Sequence, residues 1–315
     1  MTGFHDPAWV SAEDREAVTR LRRRVLDDYG YRDVMPERGL SIDGRPALTG
    51  IDPTKVGKYV VLSVRDPLGG HEGPGHAHRL ASRFGPAEEV GSTGLFQTAT
   101  APLGGGESVT VVATGSGSPD LELALVELLE HTDAEVLVYF GAAAGLHPFL
   151  HPGDVVVSTG VVREEGMTRA YVESHYPAAT SYDVVAAFLG AAQDAGASVH
   201  AGVTRSTDSD ILGNGRPSIG GYLQPRHAEV VDYWVRAGVL SNDREASAVV
   251  TLGSLFGRRT GVVLGCTDTY PSGRTLAVGA GIEDATTTLV DGLRRLQRMD
   301  AAREESGARY WAPQV

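Results

Sequence analysis

Apolar residues in this chain gather into short runs separated by polar, glycine-containing turns, and the length of each run sets what it predicts. The runs at 59–64, 108–113, 136–140, 154–160, 198–204 and 260–264 are short and mostly rich in valine, so they read as strands. Longer stretches with mixed apolar and polar positions at 121–131, 181–195, 228–238, 245–255 and 285–302 read as helices. After Glu245 the sequence Ala246, Ser247, Ala248, Val249, Val250, Leu252, Leu255 is apolar on most sides, which predicts a buried helix with a carboxylate at its start. Strands alternating with helices predict an α/β layered domain.

At 315 residues the chain has ample length to bury a core, as one large or two ordinary domains. Residues 1–50 read as an N-terminal extension and 51–315 as the main domain. Within the extension, Arg20-Leu21-Arg22-Arg23-Arg24-Val25-Leu26 predicts a basic amphipathic helix suited to packing or to a contact between copies. The chain is 42% hydrophobic but has no apolar run of about 18 residues, so a soluble rather than membrane-spanning protein is expected. The segment from Met1 to Trp9 is short and polar and does not resemble a secretory leader, which makes the cytoplasm the expected location.

The net charge of -12 argues against nonspecific binding to nucleic acid. Cys266 is the single cysteine and ends the apolar run Gly261-Val262-Val263-Leu264-Gly265, so inert packing is its expected role. No cysteine and histidine cluster has zinc spacing, and no metal or redox cofactor is expected.

Two segments about thirty residues apart carry the chemistry: Asn214-Gly215-Arg216 and Asp243-Arg244-Glu245. Glu245 reads either as a helix-capping acid or as a clamp on a vicinal diol, since its two oxygens can each accept a hydroxyl hydrogen. Asn214 offers a donor and an acceptor, and Arg216 a cation for charge growing on a heterocycle; the alternative is an Asn-Gly turn with a solvated arginine. The amides and hydroxyl of Thr114-Gly115 suit an anion.

From about residue 58 to 298 the chain resembles the nucleoside phosphorylases of the uridine phosphorylase type. The carriers are Val111-Val112-Ala113-Thr114-Gly115-Ser116-Gly117-Ser118 and Val136-Leu137-Val138-Tyr139-Phe140-Gly141-Ala142-Ala143-Ala144-Gly145-Leu146. They are followed in order by Pro152-Gly153-Asp154-Val155-Val156-Val157, Gly202-Val203-Thr204 and Ser206-Thr207-Asp208. The resemblance implies a three-layer α/β/α fold around a mixed, partly barrel-like sheet. It also implies phosphorolysis of a pyrimidine nucleoside to free base and ribose 1-phosphate, with inorganic phosphate as co-substrate and no cofactor.

By the same resemblance Glu245 holds the ribose 2'- and 3'-hydroxyls, while Asn214 and Arg216 hold the base where relatives carry a glutamine and an arginine. Asp268 lies near the position of a proton donor in purine-cleaving relatives, or serves as a turn residue. Thr114, Gly115, Arg79 and Arg65 are the expected phosphate ligands. A homo-oligomer, dimer or hexamer, is implied.

The departures are as specific as the matches. Arg65-Asp66-Pro67 stands where relatives have Gly-Asp-Pro, and Tyr139 replaces an arginine. A phosphate-independent hydrolase of a nucleoside or 5'-nucleotide, with Asp66 or Glu72 placing water, is therefore an alternative, as is a non-catalytic binder. Arg244 replaces a methionine, which implies a ligand with an anionic 5' substituent unless Arg244 pairs with Asp243, Asp232 or another acid near the cleft. The segment 69–78, containing His71, His76 and His78, reads as a flexible loop that closes over ligand or stays solvated.

Overall fold

Alternate residues of the strands face opposite layers, and both layers are apolar, which is why the runs are valine-rich throughout rather than alternating with polar residues. The computed structural model describes residues 41–65, 75–270 and 275–313, with positions 17 and 20 of the arm. The basic stretch at 21–26 and loop residues Asp66, His71 and Glu72 lie outside the described residues. Strands β1 (Ser41–Ile42) and β2 (Arg45–Pro46) form a hairpin. Its turn, Asp43-Gly44, has φ of 52° and 78°, the left-handed pair that a two-residue hairpin turn requires.

The main sheet contains β3 (Tyr59–Val64), β4 (Glu88–Ser92), β5 (Gln97–Gly104), β6 (Glu107–Thr114), β7 (Val136–Gly145), β8 (Val155–Arg163), β9 (Ala178–Ala179), β10 (Val199–Ser206), β11 (Val239–Asp243), β12 (Arg259–Thr269) and β13 (Thr275–Leu276). Its order is β13-β12-β8-β10-β11-β7-β3-β6-β5-β4, with β9 on β8. Because β12 also pairs with β7, the strands β12, β8, β10, β11 and β7 close into a five-stranded barrel, and β3, β6, β5 and β4 extend from it as an open wing. The sheet is mixed: β3 runs parallel to β6 and β7, while β11 meets β7 and β12 meets β8 antiparallel.

Helices α1 (His76–Ala81), α3 (Tyr182–Asp194) and α7 (Ile282–Glu305) pack on one face with Tyr59, Val61, Val136 and Val138. Helices α2 (Ser118–His131) and α6 (Ala246–Leu255) cover the other with Val60, Leu62, Leu137 and Tyr139. This is the expected three-layer arrangement. Two short helices, α4 (Pro225–Ala228) and α5 (Val230–Arg236), sit in the connection from β10 to β11.

The strands expected from the sequence are all present. β4, β5 and β11 add to them: β4 and β5 carry Glu88, Glu89 and several glycines and threonines that dilute the apolar pattern, and β11 is a five-residue strand ending in Ser-Asn-Asp. The expected loop at 69–78 is in its last residues helical, since α1 begins at His76 and buries Ala77, Leu80 and Ala81. The Leu48 and Thr49 amides donate to the buried Glu127 carboxylate of α2 at 2.8 and 2.7 Å, which ties the chain ahead of β3 to the main body. Among the described residues no helix is long and apolar enough to cross a membrane.

Candidate functional site

β7 pairs with β3 as far as Phe140, and beyond it Gly141 to Gly145 pair with β12, the last two of them also with β11. Where the two parallel strands part, a crevice opens at their carboxyl ends, the usual ligand position in such sheets. The cleft there has a volume of about 630 Å³. Its walls come from the ends of β3, β7, β11 and β12 and the turns that follow them.

Glu245 occupies one wall and is 5% exposed. It stands at the N-cap of α6, but its carboxylate caps nothing in that helix. The capping acid is Asp243, which accepts from the Ala246 N–H at 2.8 Å and from the Ser206 hydroxyl. Glu245 instead reaches across to the turn after β6. Its Oε1 accepts from the Gly117 N–H at 2.6 Å and Ser116 Oγ at 3.2 Å. Its Oε2 accepts from Tyr139 Oη at 2.8 Å and its neighbour's N–H at 3.2 Å. Four donors from three segments hold the carboxylate in a nearly dry wall.

Burial, and then the charge of Glu245, push the Asp243 carboxyl up to about 7. Burial together with the two carboxylates pushes the Tyr139 phenol well above its ordinary range, so it stays a donor. Arg244, between the two acids, donates from Nη1 to Ser116 Oγ at 3.1 Å and from Nη2 to the Asp208 carbonyl at 3.1 Å.

A second region is built on Arg216. Its Nη2 donates to Tyr270 Oη at 2.8 Å and to Asp210 Oδ1 at 3.2 Å, and its guanidinium lies 5.8 Å from the Tyr270 ring centre. Asp268, 6% exposed, faces the same cleft from a bulge in β12. Burial raises the Tyr270 phenol against the opposing pull of Arg216.

At a third region the end of β3 meets the start of α1. Ser63 Oγ and His76 Nε2 are 3.0 Å apart, and both face the cleft with Arg65. The Arg65 guanidinium makes no hydrogen bond or ion pair among the described residues. Its backbone N–H donates to the Thr114 carbonyl at 2.9 Å, extending the β3 and β6 pairing.

The structure thus brings Glu245, Arg216, Asp268, Arg244 and Arg65 to one cleft. Thr114, Gly115, Asn214 and Arg79 do not line it. Thr114 is fully buried and gives its hydroxyl to the Gly115 carbonyl at 2.9 Å. A Cβ at Gly115 would fall 1.8 Å from Asp120 Oδ2, so a carboxylate already occupies the neighbourhood where an anion was expected. Asn214, 3% exposed, donates to the Asp210 carbonyl and carboxylate from behind the wall, so it steadies the partner of Arg216. Arg79 lies exposed on α1, one turn past the side that presents His76.

Sequence reasoning missed Ser63 and Ser116 as cleft residues and Asp243 as the helix cap, and had His76 only as part of a loop that closes over ligand or stays solvated. A signal existed for the cap: an aspartate three residues before a helical N–H is a standard capping spacing. Ser63 gave none, because its meeting with His76 depends on β3 and α1 being adjacent in space. Among the described residues Arg244 makes no ion pair with an acid: Asp232 pairs with Arg236, and Asp243 is engaged with Ser206 and Ala246. Cys266 is buried, and its thiol is pushed up to about 12 by burial, as inert packing requires. Among the described residues no group of three or more histidine, cysteine or acidic side chains is placed to hold a metal ion.

A family model described as the phosphorylase superfamily matches residues 67–300. The chain is 29% identical over 281 residues to a uridine phosphorylase of Thermococcus kodakarensis, covering 89% of this chain and 97% of that protein. It is 29% identical over 218 residues to a uridine phosphorylase of Treponema pallidum, covering 68% and 79%. It is also 30% identical over 190 residues to a guanosine phosphorylase of Halorubrum lacusprofundi, covering 60% and 73%.

Proposed function

The chain belongs to the phosphorylase superfamily and is an enzyme of the pentosyltransferase class, and from that premise we propose that it cleaves the N-glycosidic bond of a pyrimidine nucleoside of the uridine type by phosphorolysis. The observation that carries this reading is the buried, four-donor Glu245 carboxylate in a cleft that has Arg216 in one region and Arg65 in another.

In the reaction an oxygen of inorganic phosphate bonds to the anomeric carbon as the bond to the base nitrogen breaks. The bonding pair leaves with the base, which takes up a proton, and the products are the base and ribose 1-phosphate. Positive charge builds on the sugar and negative charge on the base, so an anion beside the sugar and a cation beside the base both lower the barrier. Glu245 fills the first role and orients the ribose through its 2'- and 3'-hydroxyls. Arg216, steadied by Tyr270 and Asp210, fills the second at a pyrimidine oxygen, and Asp268 stands by to deliver a proton to the leaving base. Arg65, with His76 beside it as a further hydrogen-bonding group, draws phosphate to the third region. The same reading gives a cytoplasmic homo-oligomer that uses no cofactor beyond phosphate as co-substrate.

A hydrolytic reading has one observation in its favour: the Ser63 and His76 pair at 3.0 Å can take a proton from water in the place proposed for phosphate. Base release from uridine, cytidine and inosine, with and without phosphate, decides between the two. Release that needs phosphate and yields ribose 1-phosphate supports phosphorolysis; release at the same rate without phosphate replaces it with hydrolysis.

A further inference from the structure

Arg244 is a cation on the sugar side of the cleft that makes no direct ion pair among the described residues. Its guanidinium shares the Ser116 hydroxyl with Glu245, at 3.1 Å from Nη1 and 3.2 Å from the Glu245 Oε1, so it stands beside the carboxylate proposed to hold the ribose. Arg216 is different, since it has an ion pair with Asp210 at 3.2 Å. Arg244 pairs with no carboxylate among the described residues, and its Nε–H is buried with no hydrogen-bond partner. Of five N–H donors, two are used, one on a hydroxyl and one on a carbonyl.

Arg244 is nonetheless held in place, because Ser116 and Asp208 grip it from two different turns. A Cβ at position 117 would stand 3.6 Å from Nη2, so Gly117 leaves that face of the guanidinium uncovered. A fixed, partly desolvated guanidinium with spare paired donors matches a phosphoryl group, which accepts two parallel N–H bonds. A neutral hydroxymethyl group offers no charge to offset it.

We infer that the substrate carries a phosphoryl group on its ribose, making it a nucleoside 5'-monophosphate rather than a free nucleoside, so that the sugar product keeps the 5'-phosphoryl group and is ribose 1,5-bisphosphate instead of ribose 1-phosphate. The inference rests on the proposed glycosidic cleavage, and the 5' position follows because Glu245 requires the 2'- and 3'-hydroxyls.

The test compares uridine with UMP, and inosine with IMP, in wild type, Arg244→Met and Arg244→Lys. Both turnover and binding by titration calorimetry are measured. The expected result is a wild-type preference for the monophosphate of about 10- to 100-fold in kcat/KM or affinity, the range for hydrogen bonds to a charged group. The preference is lost in Arg244→Met and partly kept in Arg244→Lys. A wild-type preference for the free nucleoside, or a monophosphate preference that survives Arg244→Met, overturns it. So does a variant whose defect is confined to the KM for inorganic phosphate, which would assign Arg244 to the co-substrate. A 3'-monophosphate bound as well as the 5' isomer overturns the 5' placement. If no compound is cleaved, the proposed function fails; calorimetry still decides this inference, because equal affinity for nucleoside and monophosphate sinks it.

Discussion

The Tyr139 hydroxyl donates to Glu245 Oε2 at 2.8 Å, joining the middle of β7 to the start of α6 across the wall of the cleft. Both side chains are almost wholly excluded from water. The bond therefore fixes which way the carboxylate faces, and under the proposed function the tyrosine acts on the sugar only through it.

Removing that hydroxyl in Tyr139→Phe leaves Glu245 Oε2 with one donor, the Arg244 N–H. Turnover is expected to fall about tenfold in kcat/KM, the scale of one hydrogen bond to a charged group, with an unchanged circular dichroism spectrum. Wild-type kinetics in the phenylalanine variant would reduce the contact to packing.

Glu245→Gln keeps the shape but removes the charge and turns one oxygen into a donor facing other donors. A loss of about 100-fold or more in kcat is expected from the missing anion beside the developing cation. Steady-state assays with the best substrate measure it, and a variant within a few fold of wild type would remove Glu245 from the chemistry.

Asp243 gives the protein a pH-dependent stability. Burial and Glu245 oppose its ionisation and push its carboxyl up to about 7 in the folded chain, from an ordinary value of 3.8. The folded chain then holds a proton that the unfolded chain releases, so this contribution is fully present below about pH 4 and is lost as pH rises through about 7. Urea unfolding of the wild type is expected to lose up to a few kcal/mol from this group between about pH 5 and pH 8. Asp243→Asn, which can still cap α6, flattens that slope; an identical slope in both proteins would assign the titration elsewhere.

Arg259 joins the strands to the outer layer. Its Nη1 donates to Asp183 at 2.9 Å and Asp300 at 2.7 Å, its Nη2 to Asp300 at 2.6 Å, and Tyr59 Oη also donates to Asp300 at 2.7 Å. Asp300→Ala leaves a buried phenol and most of a guanidinium without their acceptor. The expected destabilisation is about 3–5 kcal/mol in chemical denaturation, with little change in the activity of the protein that remains folded. A loss below about 1 kcal/mol would show that the cluster relaxes around the gap.

What the sequence determined by itself is what depends on local pattern. Valine-rich runs between helical stretches fixed the layered α/β class, because a strand covered on both faces needs apolar residues at every position. The acid at the head of the α6 helix and the arginine two residues after Asn214 were legible as residues of the cleft, because their neighbours set their backbone positions. The sequence also marked Tyr139 as a departure from the family pattern.

Tertiary structure decided everything that depends on which segments meet. The second pairing of β12, on β7, closes the barrel, and nothing within β12 announces it. The end of β3 meets the start of α1 at Ser63 and His76, which put His76 in the cleft, while Arg79 stands one turn farther along the helix and is exposed. Thr114 and Asn214 turned inward to satisfy the Gly115 carbonyl and Asp210, since a buried polar group must find a partner and the nearest one lay in the wall. The environment of Asp243, and the placing of the Arg244 guanidinium on a hydroxyl and a carbonyl with no ion pair among the described residues, were settled last of all, by the distances between segments that are far apart in the chain.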